Sequence, residues 1–315
     1  MKIIKILIAI IIISAIIITT SHIAKLNTWL NAKLGNMDYR PDIKENAKEH
    51  HGQKHFEDRK KVLDIVNHYA DIMDDVFINS FDKTKLAGSY LLGNNPNMRV
   101  ILIHGYTASN KTMFTIADKY YKHGFSVLAP DLRGHGNSAG IFTTYGIKEK
   151  EDLKSWIKWI KTLHPQAKII LHGESLGAAS AMFLAGENPK DIIACIEDCG
   201  YTSYYDVYVN QFPKKLSFLT KIIAILANLF IKPIIGADLF KSNIDSMKKT
   251  KIPVFFINGG KDEIVPLQMC KSLYKSHQAK KEIYIAQGAG HAESKLYDSD
   301  IYYKKIFGFL DELML

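Results

Sequence analysis

The apolar positions of this chain change period twice, and each change marks a different kind of element. Residues 3–20 are almost wholly apolar, broken only by Lys5. As a helix they would rise about 27 Å, near the thickness of a bilayer core, so a membrane anchor is expected within residues 1–24. The run is long for a signal-peptide apolar region, and Thr19-Thr20-Ser21 is a poor cleavage site. Lys2 and Lys5 ahead of it are answered by Lys25 and Lys33 behind it. The short basic tail favours a catalytic part outside the cell.

Residues 25–74 form the next unit. Their polar stretch 36–61 reads as a stalk or exposed helix, after which Val62, Ile65, Val66, Tyr69, Ile72 and Met73 recur at helical spacing. From residue 75 the pattern shortens. Residues 76–81 and 85–92, separated by Asp82-Lys83-Thr84, predict a hairpin. Beyond it, strand-like runs at 100–104, 126–129, 168–171, 192–198, 254–257 and 283–286 alternate with helical patterns at 112–123, 147–163, 178–187 and 267–278. Such alternation predicts a mostly parallel sheet with helices on both faces and chemistry at the carboxyl ends of its strands.

The alternation breaks between residues 200 and 252, where a plain crossover needs only a dozen or so residues. Residues 201–250 are therefore expected to be a helical cap inserted over the strand ends. Phe218, Leu219, Ile222, Ile223, Ile225, Leu226, Leu229, Phe230 and Ile231 make this insert too apolar for an ordinary surface helix. Packing of the cap onto the domain is the main expectation. An acyl-chain pocket or a membrane-facing lid is the other, and both favour apolar substrates.

Composition adds limits. The chain has 315 residues, 47% hydrophobic and 23% charged, which supports one large core at 75–315. Its 41 Lys and Arg against 32 Asp and Glu give +9, but the lysines are scattered and no basic stripe is interleaved with aromatics, so a nucleic-acid partner is not expected. Cys195 and Cys199 would lie about 13 Å apart along a strand, too far for a disulfide. Neither they nor His50, His51 and His55 have zinc-site spacing, and no metal or other cofactor is expected.

The chemistry centres on Gly173-Glu174-Ser175-Leu176-Gly177, between an apolar strand and a helix. A serine at the tip of a sharp strand-to-helix turn needs small residues two positions to either side. The loop His104-Gly105-Tyr106-Thr107 follows another strand end, where a backbone N–H can reach a developing oxyanion.

These two stretches, with Pro130 to Gly136, Gly259 to Pro266 and Gly288 to His291, occur in an order that resembles the α/β-hydrolase superfamily over roughly residues 75–315. The chain is most similar to small bacterial esterase-like hydrolases, many of them membrane anchored. The resemblance implies an α/β-hydrolase fold and oxyanion donors at the N–H groups of Tyr106 and Leu176. It also implies that Arg133, Gly134 and His135 brace a loop beside the site.

A serine hydroxyl needs a base, and the base needs an orienting acid. The superfamily order of serine, acid, histidine leaves His277 and His291. His277 falls in a helical stretch, whereas His291 lies in a glycine-flanked loop, so His291 is expected to be the base. Asp262, after a strand and the pair Gly259-Gly260, is the expected acid; Asp198 is the runner-up. The expected activity is hydrolysis of carboxylic esters with apolar acyl groups. A peptidase or thioesterase on the same residues and a non-catalytic binding protein are the alternatives.

Overall fold

A computed structural model of the protein describes residues 52–95, 97–213 and 217–314. The expected anchor at 3–20, the start of the stalk and the His50-His51 pair lie outside the described residues. No helix among those described is long and apolar enough to cross a membrane.

Helix α1 (Gly52–Ile72) leads into β1 (Asp74–Asn79) and β2 (Lys85–Leu91), an antiparallel hairpin with Asn79 opposite Lys85. Strand β3 (Met98–Ile103), α2 (Phe114–Lys122), β4 (Ser126–Pro130), α3 (Glu149–Leu163), β5 (Lys168–Glu174), α4 (Leu176–Ala185) and β6 (Ile192–Asp198) then alternate as expected. Three helices follow before the next strand: α5 (Tyr204–Asn210), α6 (Ser217–Ile235) and α7 (Asn243–Lys249). The chain closes with β7 (Val254–Gly259), α8 (Leu267–Ser276), β8 (Lys281–Ala286), α9 (Ser294–Tyr297) and α10 (Ser299–Met314).

The eight strands form one sheet in the order β1-β2-β4-β3-β5-β6-β7-β8. The β1–β2 and β2–β4 pairings are antiparallel, and the other five are parallel. Alternating strand residues feed two cores. Ile101, Ile103, Ile169, Leu171 and Phe256 pack against α3, α4, α7 and α8 on one face. Val100, Leu102, Ile170, Phe255 and Ile257 meet α1, α2 and α10 on the other. This is the single mixed sheet, covered by helices on both faces, of the α/β-hydrolase fold.

Two elements depart from the sequence reading. Val66, Tyr69 and Met73, assigned to the unit ahead of the domain, are buried in the same core as β3 and α2. Helix α10, for which the sequence reading gives no element, buries Tyr302, Ile306, Phe309 and Leu310 against the sheet. The cap also differs. Of its nine apolar residues named above, Ile231 is buried, whereas Phe218, Ile222, Ile225, Leu229 and Phe230 are exposed. Packing onto the domain therefore explains the smaller part of its apolar content.

Candidate active site

Ser175 sits between β5 and α4 with φ 53° and ψ −110°, a conformation that costs a non-glycine residue of order 1–3 kcal/mol. Its neighbours make that turn possible. A Cβ on Gly173 would lie 2.3 Å from the carbonyl carbon of Gly177, and one on Gly177 would lie 2.0 Å from the carbonyl oxygen of Ile103. No side chain fits either place. The Ser175 N–H donates to the Asp198 carbonyl at 2.8 Å, tying the turn to the end of β6.

The structure brings three of the expected residues into one chain of hydrogen bonds. His291 Nε2 is 2.9 Å from Ser175 Oγ, and His291 Nδ1 is 2.8 Å from Asp262 Oδ2. They come from the loops after β5, β7 and β8, separated by 116 and 29 residues in sequence. Asp262 is held from behind, because its Oδ1 accepts the N–H groups of Ile264 and Val265 at 3.0 and 2.8 Å. The two amides fix the direction of its other oxygen.

The loop after β3 lies against this turn. A Cβ on Gly105 would stand 3.5 Å from the Ser175 Cβ, and Leu176 is the first residue of α4. Tyr106 follows Gly105 in the first loop, and Leu176 follows Ser175 in the second. The Thr107 N–H donates to His135 Nε2 at 3.3 Å, and the Leu132 N–H to His104 Nε2 at 3.0 Å. Arg133 makes two bonds to Asp152, at 2.7 and 2.6 Å, and one to Asp82 at 3.0 Å. These residues join the loop after β4 to the hairpin and to α3, and none of the Arg133 bonds reaches Ser175 or His291.

Beneath the serine lies a buried polar cluster that the sequence reading missed. Lys295 Nζ donates to Glu174 Oε1, and both side chains are almost fully buried. Tyr302 donates to Asp198 Oδ2 at 2.9 Å and lies 3.1 Å from His172 Nε2. The other ring nitrogen of His172 is 3.2 Å from the Tyr120 hydroxyl. The available signal was the acid inside the serine turn, since a carboxylate buried there needs a cation, and Lys295 stands four residues after His291.

Burial and the neighbouring Glu174 push Asp198 up to about 7, opposed by Lys295, the Tyr302 hydroxyl and His291. Folded Asp198 therefore keeps a proton that the unfolded chain releases near pH 4. Between those values the native state binds more protons, so this group's contribution to stability is lost as pH rises from about 4 to about 7. Melting temperatures measured across that window should fall more steeply for the parent than for Asp198→Asn. Parallel curves would show that Asp198 does not titrate there.

Cys199, Asp262 and His291 offer donor atoms within 4.8 Å of one another. Asp262 and His291 are already bonded to each other, as a base and its orienting acid are. None of the three cysteines is in a disulfide, and all three are buried. A cavity of about 570 Å³ opens beneath the cap, lined by Tyr205, Asp206 and Val209 of α5, Lys221 of α6 and Met269 of α8. The rings of Tyr106 and Tyr145 lie 6.1 Å apart, and Tyr145 stacks on Tyr204 at 3.5 Å.

Comparison with known proteins bears on the fold of the chain. A family model described as serine aminopeptidase, S33, matches residues 94–228. The solved esterase Pf2001 of Pyrococcus furiosus superposes with a TM-score of 0.64 at 26% identity, over 76% of this chain and 92% of that one. The uncharacterised protein YqkD of Bacillus subtilis is 26% identical over 270 residues, covering 81% of this chain and 88% of its own. Protein bem46 of Schizosaccharomyces pombe is 28% identical over 240 residues, 73% of this chain and 74% of its own. With its sheet order and serine turn, the chain has the α/β-hydrolase fold and is similar to these proteins.

Proposed function

We propose that the protein is a serine hydrolase that cleaves carboxylic esters through an acyl-enzyme. One observation carries the reading: Ser175, on a strained turn at the sheet's edge, is bonded to His291, which is bonded in turn to Asp262. Ser175 Oγ attacks the acyl carbonyl while His291 Nε2 takes its proton. The same nitrogen returns the proton to the leaving alkoxide, and the acyl group stays on Ser175. Water then repeats the sequence, with His291 as base, and releases the acid. Asp262 keeps the Nδ1 proton in place and balances the imidazolium. The N–H groups of Tyr106 and Leu176 receive the negative charge on the carbonyl oxygen.

An ester substrate is favoured by the likeness to the Pyrococcus esterase. The cluster of Tyr106, Tyr145 and Tyr204, which begins in the loop after β3, favours an apolar acyl group. The family model's description supports a second reading, an aminopeptidase. A peptide amine needs a carboxylate beside the serine, and the nearby buried Glu174 is bonded to Lys295. Residues 3–20 anchor the chain in the cell membrane, with the hydrolase domain outside the cytoplasm. Fluorophosphonate labelling tests the nucleophile. The parent should label and Ser175→Ala should not; an unlabelled parent, or a labelled alanine variant, rejects the catalytic reading. Ester panels graded by chain length, run beside aminoacyl amides, separate esterase from peptidase.

A further inference from the structure

Helix α6 is apolar on two opposite faces. Ala224, Ala227, Ile231 and Ile235 are buried, and the last three pack with Ala237 against Phe142, Ile147 and Leu239. Phe218, Ile222, Ile225 and Leu229, spaced by four, three and four residues, form a second stripe. That stripe points away from the domain. Phe218 is 79% exposed, Leu229 66% and Ile225 54%, and Phe212 just ahead of the helix is exposed as well. Four large apolar side chains in register on an outward face are not scattered surface residues.

The charged side chains of α6 itself are both lysines, Lys221 and Lys232, with Asp206 and Asp238 in the segments on either side of it. From residue 207 to residue 237 the sequence contains Lys214, Lys215, Lys221 and Lys232 and no Asp or Glu. Lys221 and Lys232 lie on the flanks of the exposed stripe, and Lys232 reaches Asp238 at 2.7 Å. Two copies meeting through this face would set Lys221 and Lys232 against the same lysines of the other copy. An anionic lipid surface supplies apolar depth for the stripe and negative charge for its flanks.

We propose that α6 docks on the surface of a bilayer containing anionic lipid, with Phe218, Ile222, Ile225 and Leu229 seated among the acyl chains. Lys221, on the flank of the stripe, also lines the cavity between the cap and α8, so a docked α6 holds that cavity beside the lipid surface. This second step, delivery of lipid-borne esters to Ser175, rests on the proposed hydrolase activity; the docking does not.

Buried native cysteines allow a test on the full chain. Ile225→Cys carries an environment-sensitive fluorophore, and Lys158→Cys on the exposed side of α3 carries the same label as control. With vesicles of phosphatidylglycerol in phosphatidylcholine, the label at 225 should shift to the blue and be quenched by brominated lipid, while the label at 158 should not. Pure phosphatidylcholine or high salt should weaken the effect. The same result in a Ser175→Ala background separates docking from catalysis. If the chain sediments with vesicles and position 225 is not quenched, another segment holds it there and the proposal fails. A blue shift without vesicles that grows with protein concentration assigns the stripe to a second copy and also overturns it.

Discussion

Asp262→Asn should lower kcat for ester hydrolysis by about 10⁴-fold while KM changes little, because it reverses the direction of one hydrogen bond. The asparagine oxygen can still accept the N–H groups of Ile264 and Val265, which hold it in its present rotamer. Its amide NH₂ then faces His291 Nδ1, where the carboxylate oxygen stood at 2.8 Å. Nδ1 must accept, so the ring proton moves to Nε2, the atom 2.9 Å from Ser175. A protonated Nε2 cannot take the serine proton. The fold should survive, and the melting temperature should show it. Asp198→Asn is the matched control. Asp198 is pushed up to about 7, so a neutral amide resembles its protonated form, and Tyr302 still has an oxygen to donate to. Its turnover should stay within a few-fold of the parent. The opposite ranking in kcat would make Asp198 the acid.

Lys295→Met should destabilise the fold by about 3–5 kcal/mol and lower the melting temperature by roughly 10 °C. The ammonium and the Glu174 carboxylate are both almost fully buried, and removing the cation leaves the anion with Asp198 as a neighbour. The carboxylate must then take up a proton or open a path for water, directly beneath the serine turn. Removing both charges should cost much less, since a buried pair gains little over apolar groups of the same shape. The double variant Glu174→Gln/Lys295→Met should therefore recover most of the lost stability. Thermal unfolding of the two single variants and the double gives the coupling between them. Additive effects would mean that the pair contributes no mutual stabilisation.

The strands and helices were legible because each has a period. The expected strand 192–198 is the observed β6 (Ile192–Asp198), and the expected hairpin pairs β1 with β2. The serine turn was legible for a steric reason: Gly173 and Gly177 meet backbone where any Cβ would collide, so the sequence shows glycine at both places. Other features had no local signature. That Lys295 neutralises Glu174 depends on α9 lying under a turn 121 residues away. That Asp262, rather than Asp198, faces His291 Nδ1 depends on how the loops after β7 and β8 lie side by side.

The cap shows the same division. The sequence determined that residues 201–250 interrupt the alternation and carry many apolar side chains, because composition and period are local properties. Which of those side chains turn inward is set by what the rest of the chain places beside them. Ile231 meets Phe142 and Ile147, while Phe218 and Leu229 meet no core. Sequence by itself thus determined the elements, their order and the residue types able to do acyl chemistry. Only the tertiary structure decided which of them touch, since burial and hydrogen-bond geometry join positions that the chain keeps far apart.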